Sequence, residues 1–303
     1  MHPQVLLGLG LAVACAIGTN LGGLWKQKGA VATSPVDVRR PLQSTVALFR
    51  SKWWTIGWLA AAVGWGLHVG ALALAPISLG QAVISGGIVL LGVFAERFFG
   101  FRLSTRQWVV LVLVAVGMAF LAASAHSVGN RSHFELLAIA GFEAGAVALS
   151  AACILACRVN RLCDHDGVLL GTAAGLLFGL SDVSIKAVSG SGGGVLAIVS
   201  PWSLTALAAG IAAFFAAARS LQIGEGISVI TSTAAAANVL GIVGGVVVFA
   251  EPLGGSELVI AGRVSAFALV VAAVALFPVP HRAHRAISPE PVAADAREAV
   301  AGT

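Results

Sequence analysis

The sequence predicts an all-α polytopic membrane protein, with about nine transmembrane helices arranged as two inverted repeats. Three observations predict it. Of 303 residues, 58% are hydrophobic and only 10% charged, with a mean hydropathy of +0.95; a soluble domain carries about 25% charged residues. Apolar stretches of about 20 residues, the length that crosses a bilayer, recur along nearly the whole chain. Most lysines and arginines fall on one side once nine spans are drawn. No soluble domain of any size is left over. The net charge of +5 therefore reports orientation in a lipid bilayer and not a nucleic-acid partner.

The expected spans, in order, are 5–24, 53–75, 77–95, 106–125, 134–157, 167–187, 196–218, 225–249 and 256–277. Met1-His2-Pro3-Gln4 precedes the first span without a lysine or arginine, and Lys26 and Lys28 follow it. A secretory signal has the reverse arrangement, so this span is expected to stay as a helix. The second and third spans meet at a tight turn, Ala75-Pro76. From Pro278 the chain is rich in proline, alanine and charge, which predicts a disordered tail over 278–303. Cys15, Cys153, Cys157 and Cys163 imply no disulfide framework.

Orientation follows from the basic residues. Lys26, Lys28, Arg39, Arg40, Arg50 and Lys52 follow the first span; Arg97, Arg102 and Arg106 the third; Arg158 and Arg161 the fifth; Arg219 the seventh. Arg282, Arg285 and Arg297 are in the tail. With nine spans all of these share one side. The other side keeps Arg131 and Lys186, and Arg263 falls inside the ninth span. The expected placement is a bacterial plasma membrane, N terminus outside and C terminus cytoplasmic. Trp53, Trp54 and Trp108 sit at expected cytoplasmic helix ends, where an aromatic belt forms.

An internal repeat is visible. GLAVACAIGTN from Gly10 matches GTAAGLLFGLS from Gly171, with Gly10, Ala12, Gly18 and Asn20 opposite Gly171, Ala173, Gly179 and Ser181. Phe94-Ala95-Glu96 ends the third span and Phe249-Ala250-Glu251 the eighth. The expected organisation is a first repeat over 1–133, a connecting fifth helix and loop over 134–166, and a second repeat over 167–277. An offset of five helices inverts the copies, the architecture of many secondary transporters.

Two motifs carry a family resemblance. A glycine-rich helix runs into Trp25-Lys26-Gln27-Lys28-Gly29, with Ile185-Lys186 in the second copy. A helix ends in a small residue plus glutamate at Ala95-Glu96-Arg97-Phe98 and at Ala250-Glu251-Pro252-Leu253. In these the chain resembles the drug/metabolite transporter (DMT) superfamily in its EamA-like form, over about residues 5–277. The Trp53-Trp54 pair, the Ala75-Pro76 turn and the count of nine spans are similar to the branch that holds NIPA-type magnesium transporters. EamA-like members usually have ten helices; one is missing here at the C-terminal end, and the third is short.

Few residues could carry chemistry. A charge at the membrane centre costs about 2.5–3.5 kcal/mol on insertion scales, which singles out His68, Glu143, Asp182, Lys186 and Arg263. Gly171, Gly175, Gly179, Asp182 and Lys186 share one face of the sixth span. The glycines predict close packing at the interface between the repeats. Asp182 is a proton, cation or substrate site, or else pairs with Lys186 or Arg263. Lys186 lies at the end of its helix and can snorkel. Arg263 suits an anionic substrate, or else pairs with Asp182 or Glu143. Glu143 serves the pathway, or packing, or a homodimer contact. His68 is a proton relay or a hydrogen-bonded structural group. Glu225, Ser228, Thr231, Ser232 and Asn238 form a polar stripe on the eighth span that either lines a path or bonds its own backbone. Thr19 and Asn20, with Gln81 and Ser85, are the first-repeat counterparts.

The function these residues and the resemblance imply is secondary transport of a small solute by alternating access; if that transport is coupled, the coupling ion is the proton. A magnesium or other divalent-cation transporter is the alternative, and a non-transporting membrane scaffold the third. No Walker loop, GxSxG elbow or HExxH motif occurs, so ATP-driven transport by this chain alone is not expected; neither an enzyme activity nor a cofactor is expected. Cys157, Cys163 and His165 match no zinc pattern.

Overall fold

A computed structural model describes residues 3–74, 83–124, 134–159, 166–190, 199–250 and 256–275. The helices are α1 (Pro3–Val31), α2 (Pro41–Arg50), α3 (Lys52–Leu74), α4 (Ile88–Phe99), α5 (Thr105–Ser124), α6 (Leu136–Val159), α7 (Asp166–Gly190), α8 (Pro201–Ile223), α9 (Gly226–Phe249) and α10 (Glu257–Ala275). Among the described residues there is no strand. Seven helices, α1 and α5 to α10, are long and apolar enough to cross a bilayer. α3 and α4 stand where the second and third spans were expected. α3 has 23 residues but begins Lys-Trp-Trp-Thr and carries His68. α4 has 12 residues and follows a helical turn at 83–86. Residues 75–82, the expected Ala75-Pro76 turn and Gln81 among them, lie outside the described residues, as does the tail.

Several elements depart from the expected map. α1 runs to Val31, past the expected end at 24, so Lys26 and Lys28 lie within the helix and not in a loop after it. The seventh span was expected at 196–218, but α8 runs from Pro201 to Ile223. Ser200 caps its start, its side chain accepting from the Ser203 N–H, with Pro201 in the first helical position. That start signal outweighs the apolar residues before it. α2 fills part of the basic loop after α1. Pro41 starts it, and Val38, Leu42, Val46 and Phe49 leave an exposed apolar stripe along it. This is the pattern of a helix that lies in a membrane interface.

Small residues set the packing. α1 lies along α3, where a Cβ on Gly22 would stand 2.9 Å from the Gly57 carbonyl. α7 packs on α6, α8 and α9. α5 packs on α10, where Gly117 admits Val270. The helix neighbours fall into two parallel series: α1 with α3, α1 with α4 and α4 with α5; α7 with α8, α7 with α9 and α9 with α10. α5 against α10 joins the series, with α1 also meeting α8 and α9.

At the end of α4, Gly100 adopts a left-handed conformation, φ 71°, that glycine accommodates best. Glu96 there accepts from the Leu103 N–H (3.0 Å) and the Trp108 indole (3.3 Å), so this motif glutamate shapes the turn into α5.

Candidate functional site

α7 carries the site's principal acid, Asp182, and packs on three other helices. Gly171, Gly175 and Gly179 meet α9 at Ser232, Thr233 and Ala237. The expected packing of these glycines between the repeats is corrected: they let α9, in the same half of the chain, approach α7. The close approach is visible in Thr233, whose hydroxyl donates to the Gly171 carbonyl at 2.9 Å. Ser181 donates to the Ala206 carbonyl of α8 (2.9 Å), and Ser184 to Glu143 of α6 (3.0 Å). Asp182 lies on the same face as the three glycines, about one turn beyond Gly179 toward the end of α7, and is exposed. Among the described residues it makes no hydrogen bond and no ion pair, so neither Lys186 nor Arg263 neutralises it. Lys186 instead holds its ammonium 4.4 Å from the centroid of Phe249. Arg263 is half-buried in α10, a helix that packs chiefly on α5.

Glu143 belongs to a three-helix polar node. Its carboxylate takes the Ser184 hydrogen bond from α7 and lies beside the Thr205 hydroxyl of α8. His68 is half-buried on α3. Asn20 donates to the Ala16 carbonyl (2.7 Å) and to the Gly87 carbonyl (3.1 Å), clamping α1 to the turn that opens α4.

The polar stripe of α9 divides. Ser228, Thr231 and Ser232 are wholly buried. Ser232 bonds the Val229 carbonyl, and among the described residues the Thr231 hydroxyl has no hydrogen-bond partner. Asn238 is exposed and bonds the Ala234 carbonyl four residues back.

Glu225 heads this stripe within a lattice on the α2 face of the molecule. Ser228 donates to its carboxylate at 2.6 Å, and Gln107 Nε2 reaches both oxygens at 3.1 and 3.0 Å. Gln107 is itself fixed, because its carbonyl oxygen accepts from the Ser104 N–H at the start of α5 (2.9 Å). Gln27 of α1 lies directly on Gly226. Burial pushes the Glu225 carboxyl above its ordinary range, and the hydrogen bonds from Ser228 and Gln107 only partly oppose this.

A second staple lies nearby. Gln222 of α8 donates to the Ala30 and Ser34 carbonyls and accepts from the Val36 N–H. It thereby satisfies carbonyls that the end of α1 leaves open. Gln107, Gln222 and Gln27 were not singled out in the sequence. Only Ser104-x-x-Gln107, a capping-box spacing, offered a signal for one of them. Cys163 and His165 lie outside the described residues. Among the described residues no three His, Cys, Asp or Glu side chains converge on a metal position.

No protein-family model matches the chain, and no solved structure matches it. The chain is similar to an Arabidopsis thaliana protein described as "Probable magnesium transporter NIPA9". The two are 27% identical over 255 residues, 80% of this chain and 73% of that one. The chain is an integral membrane protein by its apolar helices.

Proposed function

We propose that this chain is a membrane transporter of the drug/metabolite type that moves a cation by alternating access, with magnesium as the leading substrate. One observation carries the choice of a cation: Asp182 stands on a membrane-spanning helix without an ion pair among the described residues. An unneutralised carboxylate at that depth attracts positive charge and repels an anion. Magnesium keeps several waters and is bound through one or two carboxylates, so a single acid is compatible with a hydrated ion. The name of the Arabidopsis relative supports the same cargo.

The two parallel series of helix contacts support two four-helix units, 1–133 and 167–277, related by inversion and joined by 134–166. Alternating access is then one unit rocking against the other. The clustering of basic residues on the α2 face supports placing that face in the cytoplasm.

A second reading, proton-coupled transport of a small solute, is favoured by the Glu143–Ser184–Thr205 node, a carboxyl held where a proton could be exchanged.

Magnesium flux into proteoliposomes, read with an entrapped indicator, tests the first reading. Wild-type protein is expected to show flux and Asp182→Asn none, at unchanged thermal stability. Absence of flux, with no growth rescue of a magnesium-uptake-deficient host, would overturn magnesium. Uptake of an organic solute driven by an imposed pH gradient would then establish the second reading. No flux of any kind would leave a scaffold.

A further inference from the structure

A cleft of about 870 Å³ opens sideways between α2 and α3 on one flank and α7 and α8 on the other. It involves none of the carboxylates described above. Phe49, Trp58, Phe178, Ile211 and Phe214 supply its walls, and Gly210 leaves it open at mid-length. Its few polar groups are already used. Ser181 donates to the Ala206 carbonyl, Thr45 to the Pro41 carbonyl, and the Ser200 and Ser203 hydroxyls bond each other. A polar solute would lose its hydration there and gain nothing in return.

Charge identifies what fits. At the α2 end, Arg39, Arg40, Arg50 and Lys52 are exposed, and among the described residues none of them forms an ion pair. The one carboxylate in that segment, Asp37, accepts from the Arg39 backbone N–H. The apolar stripe of α2, with Leu42 and Phe49 among its members, puts this cationic end at the level of the lipid headgroups. From Phe215 to Ser203, two residues short of the far end of α8, the wall is about 18 Å long. The cleft is thus cationic at one end and apolar along its walls.

We propose that this cleft is a binding site for one anionic glycerophospholipid of the leaflet on the α2 side, with an acyl chain along α8 and the phosphate among the arginines. The inference is independent of the transported substrate.

The test uses the full chain in vesicles containing a phosphatidylglycerol with a diazirine in its acyl chain. After illumination, adducts are expected on Leu207, Ile211 and Phe214, and not on Leu137 or Leu149, exposed apolar residues of α6 outside the cleft. Gly210→Phe fills the cleft, since a Cβ at Gly210 meets only the Ser181 hydroxyl, at 3.5 Å. This variant is expected to lower cleft labelling about tenfold. Arg39, Arg40 and Arg50 changed together to glutamine are expected to abolish the preference for phosphatidylglycerol over phosphatidylcholine. Equal labelling of α6 and α8 in wild-type protein would mean annular lipid only and overturn the proposal. So would retained preference in the glutamine variant, or a dimer whose cross-links fill the cleft. Wild-type labelling decides even if a variant fails to fold.

Discussion

Gln107 of α5 and Glu225 of α9 meet at the α2 face, with the amide nitrogen 3.1 and 3.0 Å from the two carboxylate oxygens. The pair ties the two helix series together, because Gln107 is locked by Ser104 in one and Glu225 heads α9 in the other. Ser228 adds a third hydrogen bond from within α9. The positive end of the α9 dipole also favours the ionised carboxylate, yet burial prevails and holds the carboxyl above its ordinary range.

That direction fixes a pH dependence. The folded state binds the Glu225 proton more tightly than the unfolded state, so stability falls as pH rises from the ordinary glutamate value of about 4.3 toward the raised folded value. Above that window the loss is complete and constant. Thermal unfolding in detergent from acid to neutral pH is expected to show this decline, and Glu225→Gln is expected to flatten it. Gln107→Leu leaves a half-buried carboxylate short of donors and is expected to cost about 1–2 kcal/mol.

Gln222 gives a second link between the series. Gln222→Ala removes bonds to Ala30, Ser34 and Val36 at once. We expect a loss of about 1–2 kcal/mol. Hydrogen exchange is expected to rise over residues 30–36 and to stay unchanged in α6.

Hydropathy made the long helices legible, because each must hide its backbone from lipid internally. Asp182 was legible for the same reason: a charge in an apolar run must have a purpose. α2 was not, because ten amphipathic residues dilute any hydropathy window. The shift of α8 was missed because a cap at Ser200 and Pro201 outweighs apolar residues before it. The Gln107–Glu225 and Gln222–Ala30 bonds were illegible for a deeper reason. They depend on which helix ends lie together, and nothing local to a glutamine encodes that.

The Glu143 node separates the two transport readings. Glu143→Gln keeps an oxygen for the Ser184 hydroxyl, so stability is expected to change by less than about 1 kcal/mol. A proton-coupled carrier would lose its response to an imposed pH gradient in this variant. A magnesium carrier that uses Asp182 alone would keep its flux. Parallel flux measurements on Glu143→Gln and Asp182→Asn therefore assign the two acids separately.

The approach of α9 to α7 rests on glycines, and one substitution tests it. A Cβ on Gly175 would run into the Thr233 carbonyl and stand 2.8 Å from the Ala236 side chain. Neither can yield without parting the helices, since Thr233 is also hydrogen-bonded to Gly171. Gly175→Val is expected to cost about 1–3 kcal/mol by overpacking. Gly10 has nothing within 4 Å of its Cβ position. Gly10→Ala is therefore expected to be neutral or slightly stabilising, by up to about 1 kcal/mol from helix propensity. Thermal melts of both variants in the same detergent compare the two glycines directly. No loss in Gly175→Val would show that helix propensity, and not the close contact of α7 with α9, governs that position.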